Sequence, residues 1–184
     1  MLNFLRGWLV VLMLWLSLAP PAMAYANPTV SFVTPSLHLT SEPIAMAGKK
    51  SLFSFSGNRP ANLGIKDGSL AACPGSPNCV NSQTSESDTE HAIAPLGLSG
   101  SAAEAIARLT DIVTGMERTE IIEQTDNYLY AEFTSALMGY VDDVEFFADD
   151  ASGVVHMRSA SRLGQSDLGV NRKRIEAIRS LYDA

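Results

Sequence analysis

Cysteine and histidine are both scarce in this chain, at two and three of 184 residues. A tetrahedral zinc site needs closer Cys pairs joined by further Cys or His, and Cys73, Cys79 and the scattered His38, His91 and His156 do not supply one. Basic charge is in deficit, 13 Lys and Arg against 20 Asp and Glu for a net charge of −7. The chain therefore lacks the clustered cations with which proteins neutralise nucleic-acid phosphates. Long apolar runs are missing too. The most apolar stretch, Gly7 to Leu18, has twelve residues, where a membrane-spanning helix needs roughly 20 to cross about 30 Å of hydrocarbon. The sequence carries no internal repeat and no complete catalytic signature. Gly164 and Gly169 are spaced as in a phosphate-binding loop, but Val170 stands where that motif needs Lys. Ser159 and Ser161 sit in an alternating stretch without the Gly-x-Ser-x-Gly turn of a hydrolase nucleophile. His156, of opposite parity to Ser159, reads as a surface or network residue rather than a base. Nothing in the sequence asks for a cofactor.

What is present begins with an export signal. Arg6 supplies the positive end, the twelve-residue run the apolar core, and Ala22-Met23-Ala24 the small-residue exit. Cleavage is expected after Ala24, placing the mature chain in the periplasm, the thylakoid lumen or the extracellular space. No Cys follows the cut closely, so no lipid anchor and no stable membrane attachment is expected thereafter. Residues 25–56, rich in Pro, Ser, Thr and Ala, read as a flexible leader, in which Phe53 and Phe55 alternate with serines. Residues 57–184 are left as one α+β domain. In Cys73-Pro74-Gly75-Ser76-Pro77-Asn78-Cys79 two prolines and a glycine bend the chain between the thiols. An oxidising compartment favours a disulfide there over free thiols, worth about 2–2.5 kcal/mol for so short a loop.

Periodicity predicts the elements. His91 to Leu96 suits a short edge strand, and Val80 to Glu90 a polar loop. Ser99 or Ser101 caps a helix running to about Gly115, with Ala102, Ala105, Ile106, Leu109, Ile112 and Val113 on its buried face. Four strands follow, Glu117 to Gln124, Tyr128 to Ser135, Tyr140 to Ala148 and Val154 to Arg162. A last helix carries Leu168, Asn171, Ile175, Ile178 and Tyr182 on one stripe, capped by Ser166 or Asp167. The order strand, helix, four strands, helix predicts a curved antiparallel sheet with helices on one face.

Charge is segregated along this order. Residues 91–150 hold two Arg against twelve Asp and Glu, while 151–184 hold six basic residues against three acidic. Alternation puts Tyr128, Tyr130 and Glu132 on one side of their strand, groups Asp143 with Glu145, and groups His156 with Arg158 and Arg162. The candidate site is accordingly a polar network of Glu132, Asp142, Asp143, Glu145, Arg158, Arg162, Asp167, Asn171, Arg172 and Arg174. Its bland reading is internal pairing of carboxylates with guanidiniums. Its sharper reading is an anion site, since arginines and a helix start favour phosphate or carboxylate. The carboxylates alone offer too few oxygens for calcium, with arginines competing for them.

Four stretches carry a resemblance: Gly57 to Gly64, Cys73 to Gln83, Val141 to Phe146 and Arg158 to Arg174. In this order they resemble the domain-of-unknown-function family numbered 1499, of bacteria, cyanobacteria and plastid-bearing eukaryotes, over residues 57–184. The resemblance implies an exported or plastid-type relative and supplies no activity. The expectation is a non-catalytic binding or interaction domain, taking a small anionic ligand or a protein partner, with a structural Asp/Glu–Arg network. The alternative is an enzyme of unfamiliar type acting on a small anionic substrate through the same residues.

Overall fold

Alternating apolar and polar residues need a partner layer on one side of a sheet, and in this protein the second side is covered as well. A computed structural model describes residues 51–184. The expected export signal and its expected cleavage point, with residues 25–50 of the expected leader, lie outside the described residues. The elements run β1 Cys79–Asn81, β2 Leu96–Gly97, α1 Ala102–Thr114, β3 Thr119–Gln124, β4 Tyr128–Thr134, β5 Val141–Asp149, β6 Val154–Ser161 and α2 Val170–Tyr182. The six strands form one open antiparallel sheet in the order β1-β6-β5-β4-β3, with β2 also paired to β6. The predicted α+β order of strand, helix, four strands, helix is the observed one.

Both helices pack on the same side. Ala105, Ile106 and Leu109 of α1 and Ile175 and Ile178 of α2 share a buried cluster with Leu129, Ala131, Phe133, Val144, Phe146 and Met157 of the sheet. Ser101 caps α1 in a reciprocal box with Glu104, which satisfies two otherwise orphaned amides. The opposite sheet face is covered by a strap of irregular chain, residues 57–70, whose Leu63, Ile65 and Leu70 pack on Tyr128, Tyr130 and Phe147. With both sides covered, β5 is buried along its first eight residues.

Three local expectations are corrected. Residues 79–81 form β1, paired Cys79 to Ala160 and Asn81 to Arg158, where the polar composition from Val80 onward predicts loop. His91 to Leu96 is not a strand: only Leu96–Gly97 is, because the Asn81 amide bonds the His91 carbonyl while Arg172 takes the carbonyls of Thr89, Glu90 and Ala92 and Arg179 those of Ala94 and Pro95. Leu168 is off the buried stripe, 86% exposed with φ 55°, because it sits in the turn before α2. Gly169 is the N-cap residue, and Asp167 supplies the capping oxygens from two positions upstream, accepting from the amides of Gly169 and Asn171. Leader residues 51–55 run beside the β4–β5 connection, the amides of Phe53 and Phe55 bonding the carbonyls of Leu137 and Met138. Cys73 and Cys79 sit at disulfide distance, 2.07 Å between sulfurs. Among the described residues no helix is long and apolar enough to cross a membrane.

Candidate functional site

Register converts alternation into contacts. Glu145 on β5 stands opposite Arg158 on β6, and Arg158 Nη1 donates to Glu145 Oε2 at 3.1 Å. The Glu145 side chain is fully buried. Its other oxygen accepts from the Tyr128 hydroxyl and from the Gly64 amide of the strap, each at 2.8 Å. Two residues back along β5, Asp143 meets Arg162, which lies just past the end of β6. Arg162 Nε donates to both Asp143 oxygens at 3.0 and 3.1 Å, and Nη2 to Oδ1 at 2.7 Å. Arg162 Nη2 also reaches Glu132 on β4, whose same oxygen takes Arg59 Nε from the strap at 2.8 Å. The single hydroxyl proton of Tyr130 lies between Asp143 at 2.6 Å and Glu132 at 2.9 Å, while its oxygen accepts from Arg162. Three carboxylates and three guanidiniums are thus matched on the strap side of the sheet.

These contacts shift the titration of Glu132, Arg162, Tyr128 and Tyr130. Burial alone would raise the Glu132 carboxyl, but hydrogen bonds from Arg162, Arg59 and Tyr130 outweigh it and hold the pKa below the usual range. Burial also opposes the Arg162 charge, and the bonds to Asp143 and Glu132 more than offset it. Burial first, then the adjacent carboxylates, pushes Tyr128 and Tyr130 far up, so both remain protonated donors. A general acid working near neutral pH needs a carboxyl held protonated. Glu132 is shifted the other way.

Asp142 points to the opposite, helix side, so the expected network is two networks. Asp142 Oδ2 accepts from Arg174 Nη2 at 2.6 Å, and Arg174 Nη1 continues to Asn171 Oδ1 at 2.8 Å and Ser159 Oγ at 3.0 Å. Asn171, 1% exposed, donates onward to the Asn78 carbonyl and Ser161 Oγ. The cluster pins α2 to β5, β6 and the start of β1. Arg172 is in neither network, its guanidinium bonding the carbonyls of Thr89, Glu90 and Ala92. Among the described residues no group of three or more His, Cys, Asp or Glu is placed to hold a metal ion.

Beside the helix-side network the surface turns apolar. Phe55, Tyr140, Leu163 and Val170, each 42–48% exposed, line a cleft of about 430 Å³ together with Asp142 and Ser161. The Phe53, Phe55 and Tyr140 rings follow one another at 6.4 and 6.0 Å. An adjoining cleft of about 410 Å³ shares Ser135, Asp142 and Val170 and adds Arg118, Lys173 and Arg174. Sequence reasoning missed this patch, because its residues come from four separate segments of the chain: the leader, the chain just before β5, the chain just after β6 and the start of α2. It also gave no role to the Tyr128 and Tyr130 hydroxyls, although their parity with Glu132 was the signal that places them.

Residues 69–181, more than half of the chain, match the family described as a protein of unknown function, DUF1499. The chain belongs to the DUF1499 family. It matches no curated protein. The DUF1499 span contains Cys73, Cys79 and the members of both networks except Arg59 and Gly64. The strap up to Gly68, including the 57–64 motif counted in the resemblance, precedes it.

Proposed function

We propose that this DUF1499 chain is an exported, non-catalytic interaction domain that docks a protein partner at the patch of Phe55, Tyr140, Leu163 and Val170. The observation that carries the reading is the gathering of four large, half-exposed apolar side chains on one cleft. Apolar residues scattered singly over a surface are ordinary, whereas contiguous ones mark contact sites. The networks fit a structural role, since Arg158, Arg162 and Arg174 each spend donors on buried internal carboxylates. That leaves little guanidinium for a diffusible anion. Export is supported by Arg6, the Gly7 to Leu18 core and Ala22-Met23-Ala24, and a disulfide-distance Cys pair suits an oxidising compartment.

Photo-crosslinkers placed at Tyr140 and Val170, and at Glu123 on β3 as a control, test the docking reading in the native host. Partner adducts from the first two sites, lost with Leu163→Asp, are expected. Purified mature protein that instead converts a metabolite with time, abolished by Asp143→Ala in a folded variant, would put the enzyme reading in its place. Intact mass should show loss of residues 1–24, and full-length chain in the membrane fraction would overturn export.

A further inference from the structure

The strap covers a set of buried groups larger than its own contacts require. Between Gly57 and Ser69 its side chains are exposed or half-buried, and its polar ties to the sheet side are few. Over residues 57–65 they comprise Arg59 on Glu132 and the Gly64 amide on Glu145, while the far end is held by Gln83, which bonds the Gly68 carbonyl and the Leu70 amide. Beneath it lie Asp143, Glu145 and Arg158, each 5% exposed or less. Arg158 is incompletely used: its Nε is buried and has no hydrogen-bond partner among the described residues. A buried N–H without an acceptor costs free energy. The strap thus supplies an N–H to Glu145 and a guanidinium to Glu132, the latter lying 5.6 Å over the Tyr130 ring, but it gives no acceptor to Arg158.

Those three needs describe an extended peptide. Such a backbone presents N–H and C=O groups in alternation, so one that donates to Glu145 can offer a carbonyl to Arg158. A cationic side chain then takes the Arg59 position, on Glu132 and against the Tyr130 face. Charge points the same way. With Arg59 withdrawn, Glu132, Asp143 and Glu145 face only Arg158 and Arg162, leaving a net negative site.

We propose that residues 57–65 act as an intramolecular ligand on this face, and that its displacement opens a site for an extended, Arg- or Lys-bearing peptide segment of another protein. The site adjoins the apolar patch, since Gly57 lies against Leu163, but its polar contacts are on other residues and do not depend on it. Occupancy by the strap lowers the apparent affinity of the incoming segment by the fraction of molecules that are open. Release of the latch removes that penalty.

The test uses full-length mature protein and a fluorescein-labelled synthetic peptide copying residues 57–65. Arg59→Glu sets a like charge against Glu132 and lies on a half-exposed side chain, so the fold is retained; Arg59→Lys keeps the charge. Peptide binding by anisotropy is expected to strengthen about tenfold or more in Arg59→Glu, to stay near wild type in Arg59→Lys, and to fail when the peptide itself carries Arg59→Glu. Hydrogen exchange is expected to show the Gly64 amide opening faster than the β4 amides in the wild type. Exchange of Gly64 only with global unfolding overturns the proposal. So does an opened Arg59→Glu strap with no gain in peptide affinity.

Discussion

Removing Arg162 tests the strap-side network most directly, because its guanidinium serves two carboxylates of unequal exposure. In Arg162→Ala, Asp143, 1% exposed, keeps only the Tyr130 hydroxyl. Glu132, 14% exposed, keeps Arg59 and regains water. The cost is therefore set by Asp143, a buried charge losing its partner, at about 3–5 kcal/mol. Asp143→Ala is milder, about 2–4 kcal/mol, because Glu132 still neutralises Arg162 while its bonds to Asp143 are lost. The double variant removes both charges and should cost less than the sum of the singles, with a coupling of about 2–3 kcal/mol. Against a total stability of about 5–15 kcal/mol, each single variant remains foldable with a melting point lower by on the order of 10 °C. Urea melts followed by far-UV circular dichroism at neutral pH measure all four corners, and an unchanged m-value confirms that the unfolded state is comparable. Additive effects below about 1 kcal/mol each would refute the reasoning, since a network of buried charges does not lose a member so cheaply.

Three further outcomes are expected. Cys79→Ser should cost about 2–2.5 kcal/mol without abolishing the fold, since the bridge closes a six-residue separation; non-reducing peptide maps with two freely alkylated thiols would refute the bridge. His91 has acceptors at both ring nitrogens, Asp88 Oδ2 at 2.8 Å and the Ser76 carbonyl at 3.2 Å, and its pKa is raised, by the Asp88 bond foremost. Its folded pKa exceeds the unfolded one, so its contribution is full below about 6.5 and is lost as pH rises through the folded value. An NMR titration of the His91 ring should find that raised midpoint, and a midpoint at or below the unperturbed value counts against it. Gly139 has φ 69°, and a Cβ there would stand 2.1 Å from the Phe53 carbonyl oxygen. Gly139→Ala should free the Phe53 and Phe55 amides to exchange at a global cost of about 1–2 kcal/mol; continued protection of those amides contradicts the docking of residues 51–55.

The elements that depend on one strong period were legible. The α1 stripe with Ser101 before it, and the inward Leu129, Ala131 and Phe133 of β4, follow from spacing alone. β1 did not, because three residues are too few for a period and Asn78 and Asn81 are polar. They are buried to tie backbone, Asn81 holding the Ala71 carbonyl and Asn78 that of Gly164. Parity separates Asp142 from Asp143 but cannot reveal that α2 waits on the Asp142 side, so the sequence predicts one network where the sheet makes two. Leu168 continued an apolar stripe into a turn, where a residue at positive φ no longer follows the helical period.

The connection of β1 and β2 to β6 has a consequence for the order in which the protein can be made. Cys79 pairs with Ala160 and Leu96 with Val155, so the first two strands wait for residues near the other end of the chain. The stretch between them waits longer still, since Arg172 and Arg179 of α2 hold its carbonyls. Contacts so distant in sequence are closed late, after the loop-closure entropy between them has been overcome. A chain emerging N-terminus first, from a ribosome or across a membrane, therefore has no partner for Cys79–Asn81 until β6 is out. Fragments ending before Val154 lack the neighbour of β1, β2 and β5 alike, leaving the apolar side of β5 and an unpaired strand edge open to proteases and to other chains.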